Sequence, residues 1–415
     1  MPSRHPLVQT LVGMKGNTRA CVFTEPLWSV PFNLYVPYAS LYMLALGVTT
    51  EGIGLVASLG MAGQIVFSFL SGAITDKYGR RWTTFVVDLV SWSIPCLLWA
   101  FAQDFRWFVA AALLNAVNRI AQNSWGCLLV EDGDRSVIVH IYTWVYVSGV
   151  VAAFFAPLAG LFVGRYDVVP TVRVLYLIAF ALMTLKFLLL FLISKETEHG
   201  KLRLRETRTT SLPKLLSGYG GVLGQILRSP GTVLTGILML CMSVVSTLNG
   251  SFWAIFAVER AGIDASWVGY FPLVRALVML LVFFTAVPRI RALRFRRPML
   301  GGILVFAASQ ALLLSAPSLG LPALVGNVVL EALGIAMVNP LLDSMQVVLV
   351  DPKERARIIS ILHVAVLALG SPFGWIAGKL AATDGRMPFF LNLALLGVAF
   401  VATIAFSRAR SLERM

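Results

Sequence analysis

Gly72-Ala73-Ile74-Thr75-Asp76-Lys77-Tyr78-Gly79-Arg80-Arg81 is the stretch on which the fold turns. It lies between two long apolar runs and sets Asp76, Lys77, Arg80 and Arg81 within six positions, with Gly79 permitting a tight turn. A basic loop after any membrane helix accounts for Arg80 and Arg81, but not for Asp76 and two glycines as well. The flanking runs belong to a chain of 415 residues that is 58% hydrophobic and 13% charged, with a mean hydropathy of +0.81. A soluble domain carries about 25% charged residues, so a solvated surface cannot be built from this composition. Apolar runs of about 20 residues recur instead, long enough to cross about 30 Å of hydrocarbon as helices. Helices are required because lipid satisfies no backbone group.

The pattern G-x-x-x-D-x-x-G-R-R between two apolar helices resembles the signature loop of the major facilitator superfamily, which joins its second and third membrane helices. The resemblance implies an all-α integral membrane protein of twelve transmembrane helices in two pseudo-symmetric six-helix halves, with the site between them and transport by alternating access. Twelve spans are legible, at roughly 20–46, 52–75, 82–102, 106–129, 138–164, 170–194, 231–258, 266–288, 298–316, 321–349, 358–380 and 386–407. The expected organisation is an N-terminus over 1–19, a first half over 20–194, a central loop over 195–230, a second half over 231–407 and a C-terminus over 408–415. Part of the central loop (Leu215, Val222, Leu223, Ile226, Leu227) suits an amphipathic surface helix, and a plain flexible tether suits it equally.

The net charge of +14 suggests nucleic acid until its location is read. Lys77, Arg80, Arg81, the stretch Lys195 to Arg228, Arg289 to Arg297, Lys353 to Arg357 and Arg408 to Arg414 all fall in loops on one side. The other side keeps few, such as Arg106, Arg165, Arg260 and Arg386. That asymmetry is the positive-inside rule. It places both termini in the cytoplasm of a multi-pass protein of the inner (plasma) membrane and assigns the basic residues to lipid headgroups rather than nucleic acid. The expected partners are membrane lipids, a small-molecule substrate and protons, and the expected state is a monomer. Cys21, Cys96, Cys127 and Cys241 lie in apolar runs without metal-ligand spacing and read as inert thiols. Residues 1–19 are polar and the first apolar run is too long for a signal sequence, so no cleavable signal is expected. No phosphate-binding loop or catalytic motif appears, so no cofactor, no metal and no enzymatic activity are expected.

The halves read as repeats. Val130-Glu131-Asp132-Gly133-Asp134-Arg135 after the fourth span parallels Val350-Asp351-Pro352-Lys353-Glu354-Arg355 after the tenth, and Pro157 with Gly160 and Gly164 parallels Pro372 with Gly374 and Gly378. Ala156-Pro157 with Gly160 resembles only in part the G-P-x-x-G motif of antiporters.

Charges within spans are functional candidates because lipid makes them costly. They are Glu25, Arg119, Lys186, Arg275, Glu331 and Asp343, with Asp88 near the end of the third span. In the fourth span Asn115, Asn118, Arg119, Gln122 and Asn123 share an arc of about 140°. Arg119-Ile120-Ala121-Gln122 resembles the R-x-x-Q-G motif of the family, with Asn123 in place of the glycine; in several proton-driven members that arginine serves proton coupling beside an acid of the first helix. That resemblance makes Glu25 and Arg119 a coupling pair, because a change in their separation changes proton affinity. A static ion pair and a Glu25 that snorkels to the interface are the other readings. Glu331 is the second proton or cation site, on one face with Asn339, Asp343 and Gln346. Arg275 suits an anionic substrate or a pair with Glu331, Asp343 a pair with Arg355 or Arg357, and Lys186 snorkelling to the cytoplasmic face. Trp28, Phe32 and Tyr35 of the first span, and Asn249 and Trp253 of the seventh, fall on helices that the family places around its cavity. With Asn115, Asn118, Gln122, Arg275 and Asn339 they form the expected substrate set, though lipid-facing or packing aromatics give the same pattern.

The opening stretch reads as a cytoplasmic gate of Gly72, Asp76, Gly79, Arg80 and Arg81. Asp76 is expected at the N-terminal end of the eleventh helix, and Arg80 or Arg81 at Glu131, Asp132 or Asp134. The expected function is proton-coupled export of an amphipathic or drug-like compound. Proton symport or uniport of a small polar metabolite is the alternative, and a transport-inactive receptor or scaffold is the alternative of another class.

Overall fold

The computed structural model describes residues 6–133, 138–207, 230–285, 296–348 and 355–412, and the regular structure among them is helical. The helices are α1 (Pro6–Gly13), α2 (Gly16–Thr24), α3 (Pro26–Tyr35), α4 (Ala39–Ala45), α5 (Thr50–Tyr78), α6 (Arg80–Asp88), α7 (Ile94–Ala100), α8 (Phe105–Ala116), α9 (Asn118–Val130), α10 (Ile138–Ala152), α11 (Ala156–Tyr166), α12 (Val168–Ile193) and α13 (Glu198–Thr207). They continue with α14 (Pro230–Glu259), α15 (Phe271–Thr285), α16 (Arg296–Leu314), α17 (Ala316–Leu319), α18 (Leu321–Val348), α19 (Arg355–Thr383) and α20 (Met387–Leu412).

Among the described residues, 10 helical stretches are long and apolar enough to cross a membrane. The two sequence-read spans outside that set, 20–46 and 106–129, are chains of shorter helices. In the first, Pro26 has no N–H to return to the preceding turn, and the Glu25 N–H reaches the Val22 carbonyl at 3.3 Å. The helix therefore breaks at its one acidic residue, then again at the 3₁₀ turn Val36–Tyr38 before α4. In the second, Val117 separates α8 from α9, its N–H bonding back to the Leu114 carbonyl at 3.2 Å. Asn115 and Asn118 flank that break and bond across to the π turn Leu89–Ser93. Asn115 Nδ2 donates to the Ser91 carbonyl at 2.7 Å, and Trp92 Nε1 donates to Asn118 Oδ1 at 3.2 Å.

Aspartates start several helices by accepting from their first free N–H groups. Asp104 accepts from the Arg106 N–H at 2.9 Å, Asp264 from Ser266 at 2.8 Å and Asp384 from Arg386 at 3.0 Å.

The chain divides into two compact units, Met1–Val36 with Ala62–Ser217, and Pro37–Met61 with Gly218–Met415. In the first unit Cys21, Leu128, Leu129, Ile141 and Leu190 join α2, α9, α10 and α12 in one apolar cluster. In the second, Leu238, Met299, Phe306, Val338, Leu362 and Leu396 do the same for α14, α16, α18, α19 and α20. The second unit also holds a glycine seam. A Cβ on Gly378 would fall 2.8 Å from the Thr50 carbonyl oxygen, and one on Gly374 2.8 Å from that of Gly54. Bare backbone of α19 therefore lies on bare backbone at the start of α5, where any side chain forces the helices apart. Pro372 deprives the Ala368 carbonyl of its N–H donor. Ser371 Oγ donates to that carbonyl at 3.2 Å in its place.

Candidate functional site

In the first unit, Lys186 Nζ donates to Glu25 Oε2 at 2.8 Å, and both side chains are buried. The Pro26 break presents Glu25 at a kink, and α12 runs alongside. The rings of Trp28 and Trp125 lie 5.7 Å from the ammonium and that of Phe187 lies 5.9 Å from it. Aromatic faces stabilise a cation, the more so when it is desolvated. Lys186 therefore does not snorkel to the surface, and Glu25 is not partnered by Arg119. A cation with aromatic neighbours on α3, α9 and α12 is held too far inside for either.

Arg119 is held by amides. Its Nε donates to Gln64 Oε1 at 2.8 Å and its Nη1 to Gln122 Oε1 at 3.0 Å. These oxygens are neutral, so they orient the guanidinium without cancelling its charge. Gln64 sits on α5 and was not singled out from the sequence.

Trp28 and Phe32 are stacked with ring centroids 4.6 Å apart, and Trp92 meets both edge-on. Tyr35 packs against Trp99 and Tyr176 and is only 3% exposed. The rings of Trp28 and Phe32 are half-buried, while that of Tyr35 belongs to the core.

The Gly72–Arg81 stretch forms the end of α5, the turn and the start of α6. Asp76 Oδ1 meets Arg80 Nη1 at 3.0 Å, and Asp76 Oδ2 meets Arg203 Nη2 of α13 at 2.8 Å. Asp76 thus has two guanidinium partners, one of them on a helix not foreseen from the sequence. Arg80 Nε meets Glu131 Oε2 at 3.1 Å, and the Thr197 hydroxyl donates to the same carboxylate. Arg81 turns elsewhere: its guanidinium lies 4.1 Å from the Phe191 ring centroid and donates to the Phe191 carbonyl at 2.9 Å. Asp132 accepts from the Glu198 N–H at 3.2 Å. Asp134 lies outside the described residues, as do residues 208–229 with the expected surface helix, and the side chains of Arg355 and Arg357.

Gly79 has φ +82, a conformation that side chains rarely adopt, and a Cβ there would meet Glu196 Oε2. Glu196 accepts from the Arg80 N–H at 2.9 Å and the Arg81 N–H at 3.0 Å. It neutralises the free N–H groups at the start of α6. Among the described residues, no atom lies within 4 Å of where a Cβ on Gly72 would fall. Burial pushes the Glu131 carboxyl up, but the Thr197 hydroxyl and the Arg80 guanidinium outweigh it and hold Glu131 below the usual carboxylate range.

In the second unit one acid organises several helices. Arg275 Nη2 of α15 meets Glu331 Oε2 of α18 at 2.7 Å, and Asn249 Nδ2 of α14 donates to Glu331 Oε1 at 2.9 Å. Asn392 Nδ2 of α20 donates to Asn249 Oδ1 at 2.8 Å and to Gln310 Oε1 of α16 at 3.0 Å. Beside this chain, Trp253 Nε1 donates to Asn327 Oδ1 at 2.8 Å. The structure brings together Asn249, Arg275 and Glu331 of the expected set. Asn339 and Asp343 are exposed on α18, apart from the network. Gln310, Asn327 and Asn392 were missed, although an amide inside an apolar run is itself a signal, because hydrocarbon leaves it no partner but protein.

A multi-pass helical protein with ion pairs and amide chains inside apolar spans is built as a membrane transporter, and the comparisons agree. The family model of the Major Facilitator Superfamily matches residues 29–291. The chain belongs to that superfamily, whose members move solutes rather than catalyse reactions.

An uncharacterized MFS-type transporter, YqjV of Bacillus subtilis (strain 168), is 24% identical over 134 residues, a stretch covering 32% of each chain. Among solved structures, the nucleoside transporter NupG is similar with a TM-score of 0.69 at 16% identity, over 95% of this chain and 99% of that one. The POT family transporter PepTSo gives 0.71 at 14% identity over 96% and 98%. The human organic anion transporter MFSD10 (TETRAN) gives 0.64 at 15% identity over 96% and 100%. At such identities the likeness is one of fold, and fold does not carry substrate.

Proposed function

We propose that this protein is a proton-coupled secondary transporter that exports a small amphipathic compound by alternating access. The observation that carries the reading is the Glu25–Lys186 pair, 2.8 Å apart and buried within apolar spans. Ionisable groups at that depth serve pathways and relays in membrane proteins. The half-buried rings of Trp28 and Phe32 suit an apolar substrate body. Glu25 is the coupling acid, Glu331 the second acid of the pathway, and Arg119 orients the polar end of the substrate. The cluster of Asp76, Arg80, Arg81, Glu131 and Asp132, with the turn at Gly79, is a gate. The gate and both termini face the cytoplasm in an inner membrane, a reading that the positive-inside rule supports. The protein works as a monomer.

Proton symport or uniport of a small polar metabolite is the second reading. It is favoured by Arg119, whose hydrogen-bonded partners are the amides of Gln64 and Gln122.

Flux in proteoliposomes over a substrate panel, with and without a pH gradient, tests both. Export is expected to release protons on substrate addition, whereas symport takes them up. Glu25→Gln is expected to abolish gradient-driven accumulation and leave counterflow largely intact. Unchanged accumulation removes Glu25 from coupling.

A further inference from the structure

Asp88 is the last residue of α6, and its side chain is 6% exposed. Among the described residues its carboxyl makes no hydrogen bond and no salt bridge. It lines a narrow cleft with Arg81, Thr84, Phe187, Phe191 and Ser194. Ser194 Oγ is likewise buried there without a partner. The charged and titratable groups that face Asp88 are Glu25 from the kink before α3, Lys186 from α12 and Cys21 from α2. Arg81 of its own helix lines the same cleft, with its charge turned onto the Phe191 ring. The contribution of α9 to the cleft is Leu128, which is apolar.

The cluster thus holds two carboxyls and one ammonium. Lys186 is committed to Glu25 at 2.8 Å and framed by three rings. An ionised Asp88 would set a second negative charge beside Glu25 with no donor of its own, in surroundings that solvate neither. One bound proton makes the cluster neutral.

We propose that Asp88 is a proton-binding site of this transporter, occupied while Lys186 is bound to Glu25 and emptied when Lys186 turns from Glu25 to Asp88. In release, the O–H bond of the Asp88 carboxyl breaks and the proton passes to water entering the cleft at Ser194. The electron pair stays on the carboxylate, Lys186 remains an ammonium, and nothing is oxidised or reduced. The proposal deepens the proton-coupled reading and rests on it for its role in transport.

Infrared spectroscopy of the purified full-length protein at neutral pH reads the site directly through the carbonyl stretch of a protonated carboxylic acid, which shifts in heavy water. A band is expected in the wild type, lost in Asp88→Asn and restored at a shifted frequency in Asp88→Glu. An alkaline pH jump should release one proton fewer per molecule from Asp88→Asn. Absence of the band in the wild type overturns the site, as does its persistence in Asp88→Asn. Should Asp88→Asn fail to fold, the wild-type band and its heavy-water shift, with Asp88→Glu, still decide. The band is independent of flux: a band tied to Asp88 without proton-driven flux keeps the site and removes the coupling reading. Proton-driven flux without that band does the reverse.

Discussion

In the first unit, Glu25 and Lys186 meet in a single salt bridge while a second carboxyl, Asp88, stands beside them with no donor among the described residues. In the second unit, Glu331 is held by Arg275 and Asn249 together, and the chain continues through Asn392 to Gln310. One acid against one guanidinium, braced by amides from three further helices, has a single low-energy arrangement. Two acids against one ammonium have two. Neither group is complete, since Arg275 Nε, Gln310 Nε2 and Asn392 Oδ1 are also buried without a hydrogen bond among the described residues; the contrast lies in how widely the charge is shared. The second unit ties its acid into a polar chain across α14, α15, α16, α18 and α20, and the first leaves one carboxyl over beside a single pair.

The sharpest way to break this comparison is Lys186→Met. It strands Glu25 in an apolar interior and is expected to cost about 3–5 kcal/mol, as removal of one partner from a buried pair does. The Glu25→Gln/Lys186→Met double variant should recover most of that loss in thermal unfolding in detergent. If Arg275→Met costs more than Lys186→Met, the contrast between the units is wrong. Arg275 is half-exposed, so its loss should be the milder one. A smaller effect is expected for Asn392→Leu, about 1–3 kcal/mol, because Asn249 Oδ1 and Gln310 Oε1 both lose their donor. A loss that stays below that of an apolar substitution elsewhere on α20 would deny the amide chain its bracing role.

The smallest effect belongs to the Arg80–Glu131 pair at the end of the first unit. Its partly exposed carboxylate limits its worth to about 1 kcal/mol. Glu131 titrates below its ordinary value in the folded protein. Its contribution is therefore complete above the ordinary carboxylate pKa and is lost as pH falls through the depressed one. The difference in melting temperature between wild type and Glu131→Gln should be present at neutral pH and close on acidification. A gap that widens in acid would invert the sign and sink the assignment.

Much of the fold was legible in the Gly72–Arg81 stretch and the apolar runs, because hydrocarbon permits so few backbone solutions. The side-chain partners were less so. Glu25 stood out as a charge in an apolar run, yet Arg119 and Lys186 were both available to it. Which one it meets depends on the rotation of α3 after Pro26 and on the packing of α12 beside it. Neither is written in spacing. Gln310, Asn327 and Asn392 were passed over because they carry no charge, although burial makes an amide nearly as demanding as an ion. Helix α13 was read as loop because its residues, Lys201, Arg203, Arg205 and Glu206 among them, show no apolar stripe. It forms by pairing with Asp76 and by the bond from Thr197 Oγ1 to Glu131.

The seam where Gly374 and Gly378 of α19 lie on the backbone around Thr50 and Gly54 has a mechanical consequence. Ordinary helices interlock as ridges in grooves, and displacing one along another means lifting side chains over each other. This seam is mostly bare backbone, with few ridges to lift, and is pinned at one point where Ser58 Oγ accepts from the Trp375 N–H at 2.7 Å. It is built like a plain bearing with one pin, the bond that any sliding of α5 along α19 has to break. A single methyl group, as in Gly378→Ala, would act on that bearing as grit.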